Sequence, residues 1–293
     1  MNASSLCFLN GDYLPLGEAR VPVLDRGFIF GDGIYEVVPA YGGRLFRFDE
    51  HLARLNRSLT KVRIPSPASR EEWLQRCRRL VSAGAEAMGS DDQVVYIQVT
   101  RGVAPRDHVM PPGITPTVFM MCNPMKPATP EQRHAGVACT TARDFRWERG
   151  DIKSTSLLGN VLARQMSADQ GAMETIMFRD GYLTEAAASN VWVVHEGALL
   201  GPPKSEHVLE GIRVELLREL CEECGIAYNL RPIPEADVHA ADEVLLSSAT
   251  KEVLAVTKID GEAVGHGALR GKPGPVYGRL FEAYQQAKRT MSI

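Results

Sequence analysis

Lys153 lies in a segment whose composition suits a nucleophilic amine. The segment covers residues 150–156, and apolar residues follow it at helical spacing: Leu157, Leu158, Val161, Leu162 and Met166. Ser154, Thr155 and Ser156 are suitable N-cap residues, so we expect Lys153 at the end of a strand or loop, just before a helix. A half-buried lysine there loses proton affinity, and its neutral amine can form a Schiff base with a carbonyl. Taken alone, such a segment more often carries a surface lysine in a loop.

Arg54 lies in a predicted amphipathic helix over residues 48–59. Leu52, Leu55 and Leu59 form the apolar stripe of that helix, and Arg54 is flanked by them. Its charged group can therefore reach inward with its stem covered. A guanidinium offers a phosphate paired, charge-assisted hydrogen bonds, so Arg54 is a candidate phosphate ligand.

Arg106 and His108 form a candidate carboxylate clamp. A predicted strand at residues 94–100 leads into a polar loop that carries both side chains. Their spacing lets them point to one side of an extended segment. The arginine would supply charge and the imidazole a hydrogen bond to a carboxylate. The alternative is two solvated loop charges.

Two further stretches imply a close approach of the backbone to another group. Residues 6–48 read as short strands with turns, with a hairpin signal at Asn10-Gly11. Within them, residues 25–38 contain three glycines and continue as a strand to about Ala40, so they are not a phosphate loop, which would continue as a helix. Residues 173–180 read as a strand with a hairpin turn at Asp180-Gly181. The returning segment carries Glu185, followed by three alanines that leave room for a flat group.

Together these stretches resemble, in order and across nearly the whole chain, the pyridoxal-phosphate enzymes of fold type IV. That family includes D-amino-acid aminotransferases, branched-chain aminotransferases and aminodeoxychorismate lyases. The run RGF-x-FGDG-x-YE at residues 26–36 resembles the D-amino-acid aminotransferases most closely.

The resemblance implies a set of site residues around pyridoxal 5′-phosphate. Lys153 would carry the cofactor as a Schiff base, Arg54 would bind its phosphate, and Glu185 would keep the pyridine nitrogen protonated so that the ring withdraws electrons. The resemblance also implies that Tyr35 lines the substrate side of the cofactor. Arg106 and His108 would reach in from a partner subunit and bind the substrate α-carboxylate. The remaining cofactor contacts are Leu209 against the ring and, around the phosphate, Gly211, Ile212, Arg213, Ala249 and Thr250. No metal site is predicted.

The chain departs from the family pattern at two places. Ala187 and Ala188 replace two of three usual serines, and only Ser189 remains. Arg213 replaces the threonine of a Gly-Ile-Thr-Arg element. Hydroxyl contacts are lost at these positions, while the backbone amides at the start of the following helix remain available to a phosphate. Glu174 is a further candidate near the site.

These features predict a D-amino-acid aminotransferase, which moves an amino group between a D-amino acid such as D-alanine and a 2-oxo acid such as 2-oxoglutarate. The Arg106/His108 pair favours this substrate class, because the branched-chain enzymes and the lyase lack it. The alternatives on the same scaffold are a branched-chain or (R)-amine aminotransferase and an aminodeoxychorismate lyase. A third interpretation is a protein that binds pyridoxal phosphate or a metabolite without turnover.

The sequence pattern shows mixed helices and strands, and the resemblance implies that they form a two-domain α/β (α+β) fold. We expect a small N-terminal domain at residues 1–122 with a mixed or antiparallel sheet, a proline-rich linker at 123–132, and a larger barrel-like domain at 133–293. The resemblance places the cofactor between the domains and implies a homodimer. His134 and the charged run at residues 143–149 are expected on the surface.

Composition limits the remaining possibilities. With 293 residues, 44% apolar residues and a net charge of −3, the chain is typical of globular proteins, and a nucleic-acid partner is not indicated. No window approaches 18 consecutive apolar residues, and residues 1–6 lack a secretory pattern, so we expect a cytoplasmic protein without a membrane span. Cys221 and Cys224 fall in a helical pattern, which argues against a zinc or redox site.

Overall fold

The computed structural model describes residues 4–293, so residues 1–3, part of the segment inspected for a secretory pattern, lie outside it. The chain divides into two compact units. The first comprises the residues up to Lys126, Ile152–Leu157 and Lys288–Ile293, and the second comprises Pro127–Asp151 and Leu158–Ala287. The predicted boundaries differ from this division, because two short segments from the C-terminal half belong to the first unit. The expected linker is also shorter, since a strand extends to Pro124 and a helix begins at Pro130.

The first unit contains a six-stranded sheet in which every pairing is antiparallel. A hairpin joins its first two strands at Asn10-Gly11, as predicted, with both residues at positive φ. The strand order is β2-β1-β6-β5-β3-β4. The strands are β1 (Leu6–Leu9), β2 (Asp12–Pro15), β3 (Gly33–Tyr41), β4 (Arg44–Leu45), β5 (Gln93–Thr100) and β6 (Thr117–Pro124).

Helices α1 (Arg26–Phe30), α2 (Phe48–Lys61) and α3 (Arg70–Met88) complete this unit, together with a 3-10 turn at Leu16–Glu18. Helix α1 was not expected, because residues 6–48 were read as strands and turns. Asp25 accepts a hydrogen bond from the Gly27 amide at its N-terminus, and Gly31 ends it at positive φ. The apolar stripe of α2 packs in the core as predicted, with Leu55 and Leu59 about 1% exposed.

The second unit contains a nine-stranded mixed sheet that curls into a half-barrel. Only the pairs β11–β12, β14–β7 and β7–β8 are parallel. The path is β12-β11-β10-β13-β14-β7-β8-β9, and β15 pairs with β14. The strands are β7 (Val137–Arg143), β8 (Glu174–Arg179), β9 (Tyr182–Ala186), β10 (Asn190–His195), β11 (Ala198–Gly201), β12 (Tyr228–Leu230), β13 (Glu243–Ser248), β14 (Glu252–Ile259) and β15 (Glu262–Ala263).

Five helices accompany this sheet along the chain: α4 (Pro130–Ala135), α5 (Leu158–Asp169), α6 (Ile212–Cys224), α7 (Glu235–His239) and α8 (Pro275–Thr290), with a 3-10 turn at Gly267–Leu269. Cys221 and Cys224 lie on α6, as the helical pattern predicted, and all six cysteines are free. Within residues 4–293, no helix is both long and apolar enough to cross a membrane.

Helix α5 departs from the prediction at its N-terminus. It begins at Leu158, so none of the three hydroxyl residues at 154–156 is its N-cap. Thr155 and Ser156 instead donate hydrogen bonds to the Gly31 carbonyl at 2.9 and 3.1 Å. Its apolar residues are exposed rather than packed. The exposed fractions of Leu158, Val161, Leu162 and Met166 are 71%, 60%, 52% and 39%.

Candidate active site

Lys153 lies on a short extended segment that pairs with the start of β3. The Tyr35 amide donates to the Lys153 carbonyl at 3.0 Å, and the Thr155 amide donates to Gly33 at 2.9 Å. The Lys153 amide lies 3.4 Å from the Ser58 hydroxyl of α2. The predicted position at the end of a strand or loop, ahead of a helix, is therefore confirmed.

The Lys153 ammonium group lies over an aromatic ring. Its Nζ is 4.1 Å from the centre of the Tyr35 ring, within cation–π distance. Tyr35 in turn stacks on Tyr96 with ring centres 5.8 Å apart. Burial raises the pKa of the Tyr96 phenol to about 12, and its hydroxyl donates to Gln98 at 2.7 Å. The structure thus brings together two predicted site residues, Lys153 and Tyr35.

Arg54 is buried, as its place beside the apolar stripe predicted, and it is held by a glutamate. Its Nε and Nη2 donate to the two oxygens of Glu36 at 2.9 and 2.6 Å, and His51 Nδ1 lies 3.0 Å from the same carboxylate. Burial alone would raise the pKa of Glu36, but Arg54 and His51 outweigh it and hold that pKa well below its usual range. Glu36 therefore fixes the orientation of the guanidinium.

Arg106 and His108 gather around one ring, that of Phe30. The Arg106 guanidinium carbon is 5.5 Å from the ring centre, and the His108 ring centre is 5.4 Å away. Both side chains are exposed. In the part of the chain that the structure describes, neither makes a side-chain hydrogen bond or ion pair. A cation and an imidazole are thus exposed beside the same aromatic ring.

Glu185 lies on β9 and is 6% exposed. Arg146 donates to one of its oxygens at 2.5 Å, and the Leu209 amide donates to the other at 3.2 Å. Arg146 also makes a two-point contact with Asp144, at 3.0 and 2.8 Å. Burial raises the pKa of Glu185, while Arg146 and the Leu209 amide act in the opposite direction.

Arg146 is a site residue that the sequence analysis missed. The run at residues 143–149 was expected on the surface, yet Asp144 and Arg146 are 5% and 8% exposed. Phe145 and Trp147 between and beside them are 40% and 49% exposed. The alternation marks an extended segment with its charged side chains turned inward. An Asp-x-Arg pair of opposite charges at this spacing was the available signal.

Asn190 connects Glu185 with two other predicted residues. Its Nδ2 donates to the Leu209 carbonyl at 3.1 Å and lies 3.4 Å from Glu185. A Cβ on Gly211 would lie 2.0 Å from the Asn190 side-chain oxygen, so any other residue there would displace the Asn190 side chain. The structure thus brings Glu185, Leu209 and Gly211 together.

The remaining predicted residues lie at the start of α6 and in the turn between β13 and β14. Gly211 is the N-cap of α6, and no side chain caps the helix. Arg213 is 2% exposed; it donates to Tyr284 at 3.1 Å and lies 3.5 Å from the Ala249 carbonyl. The arginine that replaces the usual threonine therefore connects Ile212 and its helix with the turn that holds Ala249 and Thr250.

Ser189, the serine that the chain retains, is buried and does not point to solvent. It donates to Glu174 at 2.8 Å, and Lys251 donates to the same oxygen at 2.7 Å. Ala187 is buried, whereas Ala188 is exposed. Glu174, noted as a further candidate, therefore acts here as the partner of a serine and a lysine.

Comparison with known proteins identifies the family. The amino-transferase class IV family matches residues 33–259. The chain belongs to the class IV aminotransferases. It is 39% identical over 95% of both chains to the D-alanine aminotransferase of Bacillus licheniformis, and 37% identical over 95% of this chain and 96% of the relative to that of Staphylococcus haemolyticus.

The fold agrees with this assignment. The branched-chain amino acid aminotransferase of Escherichia coli superposes with a TM-score of 0.87 over 97% of this chain and 94% of that chain, at 23% identity. The predicted resemblance to fold type IV aminotransferases, and within them to the D-amino-acid enzymes, is confirmed, as is the two-sheet α/β fold. The chain is a transaminase.

Proposed function

We propose that this aminotransferase acts on D-amino acids, transferring the amino group of a donor such as D-alanine to a 2-oxo acid such as 2-oxoglutarate. The observation that carries this proposal is the pair Arg106 and His108, held side by side on Phe30. A guanidinium and an imidazole together suit the α-carboxylate that an amino acid presents. The relatives that carry the name D-alanine aminotransferase agree with this substrate class.

We propose pyridoxal 5′-phosphate as the cofactor, and the chain's residues fit it. Lys153 offers an amine, Glu185 a fixed buried carboxylate, and α6 an N-terminus that no side chain caps. Gly211 keeps that N-terminus free of a Cβ, which would collide with Asn190. The residues that would hold the cofactor are Lys153, Arg54, Glu185, Leu209, Gly211, Ile212, Arg213, Ala249 and Thr250.

When bound, pyridoxal phosphate supplies an electron sink for negative charge that develops on the substrate α-carbon. Glu185 would keep a proton on the pyridine nitrogen by charge pairing. Arg146 and the Leu209 amide hold the carboxylate in place. Each carboxylate oxygen has a second lone pair, so Glu185 can accept one more hydrogen bond beside these.

Lys153 has two tasks in this proposal. Its Nζ would hold the cofactor covalently, and the same amine would take a proton from the substrate α-carbon and later return a proton. The Tyr35 ring, 4.1 Å from Nζ, limits where the amine can move. Arg106 and His108 hold the substrate carboxylate, which fixes the direction of the α-hydrogen and thereby selects one enantiomer.

The test is a half-reaction followed through the visible absorption of the bound cofactor. D-alanine and L-leucine are added separately to the holoenzyme without an amino acceptor. We expect D-alanine to convert the band and L-leucine to leave it unchanged. Lys153→Ala should lack both the band and the conversion. Conversion by L-leucine alone would overturn the proposal in favour of a branched-chain enzyme.

We further propose a homodimer. Four apolar residues on α5 in the second unit are exposed. In the first unit, Val23 and Phe28 are 72% and 75% exposed. Groups of exposed apolar residues such as these mark interaction sites. A second copy of the chain would cover such surface, and the resemblance implies that its Arg106 and His108 serve the neighbouring site.

We also propose a cytoplasmic location. The six cysteines are free, and five of them are buried. Unpaired buried thiols are typical of reducing compartments. Detection of the native protein in a cytosolic fraction tests this.

A further inference from the structure

Three charged residues form a network beside the carboxylate clamp. Asp32 Oδ2 accepts hydrogen bonds from Arg26 Nε at 2.8 Å and Arg101 Nε at 2.7 Å, and Asp32 Oδ1 accepts from Arg101 Nη2 at 3.0 Å. Arg26 and Arg101 are 3% and 6% exposed. The two arginines outweigh the effect of burial and lower the pKa of Asp32. Two cations and one carboxylate are therefore held rigidly together.

Arg26 uses its other two nitrogens on the loop that carries the clamp. Nη1 donates to the Asp107 carbonyl at 2.5 Å, and Nη2 lies 3.5 Å from the His108 carbonyl. Its guanidinium carbon is 4.8 Å from the centre of the Phe30 ring. One side chain thus contacts both the backbone of the clamp loop and the ring against which the clamp side chains rest.

The base of the same loop is tied to the same segment. Asp25 and Val103 form an antiparallel bridge, and the Arg26 amide donates to Gly102 at 2.9 Å. Arg101 donates to the carbonyls of Val62 and Arg63 at 2.7 and 3.2 Å. Beyond this base, the Arg26 side chain provides the hydrogen bonds to the loop carbonyls at 107 and 108.

We propose that Arg26, anchored by Asp32, is a positioning residue that sets the geometry of the Arg106/His108 clamp and thereby the affinity for the substrate carboxylate. This inference rests on the proposed function. Arg26 itself contacts neither substrate nor cofactor; it acts by fixing the peptide units on which the two clamp residues are carried. Two charge-assisted bonds from one planar group hold both carbonyls in a fixed orientation.

The main test is Arg26→Lys in the holoenzyme, with Asp32→Asn as a second, isosteric variant. Lysine keeps the charge but cannot reach Asp32 and two carbonyls at once. The D-alanine concentration dependence of the half-reaction gives the apparent Kd and the maximal rate. We expect the Kd to rise ~tenfold, the effect of losing about one charge-assisted hydrogen bond. The maximal rate and the cofactor absorption should stay nearly unchanged.

Two controls separate positioning from a general loss of structure. Arg20→Lys alters an exposed arginine that also binds loop carbonyls in this unit, and it should not affect the Kd. In an Arg106→Ala/His108→Ala background, Arg26→Lys should produce no further change. The inference would be wrong if Arg26→Lys raised the Kd equally in this double-variant background. It would also be wrong if Arg26→Lys left the Kd unchanged in the otherwise wild-type protein.

Hydrogen exchange of residues 101–110 provides a readout that is independent of activity. Arg26→Lys should speed exchange in this segment and leave β3 protected. Unchanged exchange in the loop would also overturn the inference. If the wild-type protein fails to convert D-alanine, the proposed function fails by itself, and the exchange experiment still decides whether Arg26 orders the loop.

Discussion

At the scale of residues, two buried arginines described at the candidate site are paired with carboxylates. Arg54 is paired with Glu36, and Arg146 is shared between Asp144 and Glu185. A buried charge is tolerated when partners and hydrogen bonds offset its desolvation. The partners therefore decide how each functional group is oriented and ionised, and two of them, Glu36 and Arg146, are not part of the predicted site.

Glu185→Gln should slow the chemistry without weakening substrate binding. A neutral amide cannot hold the pyridine proton by charge pairing, so we expect the half-reaction rate with D-alanine to fall on the order of a hundredfold. Arg146 remains paired with Asp144, which should keep the fold intact. Glu148→Gln, at a side chain 79% exposed in the same region, is the control. A rate within twofold of wild type would contradict the role of Glu185.

Glu36→Gln should destabilise the protein in a pH-dependent manner. It leaves Arg54 buried without its carboxylate, which costs about 3 kcal/mol of unfolding free energy at neutral pH. The pKa of Glu36 is lower in the folded protein than in the unfolded chain, where it is about 4.3. The contribution of Glu36 to the free energy of unfolding is therefore fully present above that unfolded-state pKa, and it is lost as the pH falls through the folded-state pKa.

The measurement is urea unfolding of both proteins from pH 7 to 3.5. The difference between wild type and Glu36→Gln should be constant down to about pH 4.3 and shrink below it. Glu50→Gln removes a partly exposed partner of Arg47 on the same helix and should change stability by less than about 0.5 kcal/mol. A difference that grows in acid would refute the assignment.

At the scale of elements, short irregular segments carry the site and regular elements hold them. Residues 152–155 pair with the start of β3, and the turn at Ala249-Thr250 is joined to α6 through Arg213. The N-terminus of α6 is shaped by Asn190 from β10. Displacing one of these supports should disturb several predicted cofactor contacts together.

Gly211→Ala should weaken cofactor binding because the new Cβ would displace Asn190. The apoenzyme's affinity for pyridoxal phosphate, measured by titration of its absorption, should fall at least ~tenfold, since overpacking costs about 1–3 kcal/mol. Gly278→Ala, in α8 where a Cβ meets nothing within 4 Å, is the matched control and should leave affinity unchanged. Equal affinity in both variants would exclude Gly211 from the phosphate site.

At the scale of the whole molecule, the proposed dimer would cover the exposed apolar residues of α5 and of residues 21–28. Lysine at a buried dimer contact is costly, so Val161→Lys should shift the mass measured by light scattering from dimer to monomer. Leu269→Lys, at a residue 46% exposed away from these segments, should remain dimeric. A wild-type monomer would refute the proposed dimer.

Mixing two inactive variants tests whether the clamp crosses to the neighbouring subunit. A dimer of one Lys153→Ala chain and one Arg106→Ala chain would contain one complete site if Arg106 acts on its partner's lysine. After random exchange of subunits, activity should recover to about a quarter of wild type. No recovery, with exchange demonstrated by mass, would place the clamp and the lysine in the same subunit.

The motifs of the sequence were sufficient to predict the family, the α/β fold and the place of Lys153 ahead of a helix, because they resemble those of a known family. The hairpin at Asn10-Gly11 and the buried face of α2 were predicted correctly from turn residues and hydrophobic periodicity. The roles of the individual site residues stay predictions.

Only the tertiary structure revealed what surrounds those residues. The ion pairs Glu36–Arg54, Arg26–Asp32 and Arg146–Glu185 join residues 18, 6 and 39 positions apart, and no local pattern encodes such contacts. The short α1, the exposed face of α5 and the return of Ile152–Leu157 to the first unit were likewise missed. The reason is physical: periodicity reports which side of an element is apolar, whereas the partner of that side is set by packing among segments distant along the chain.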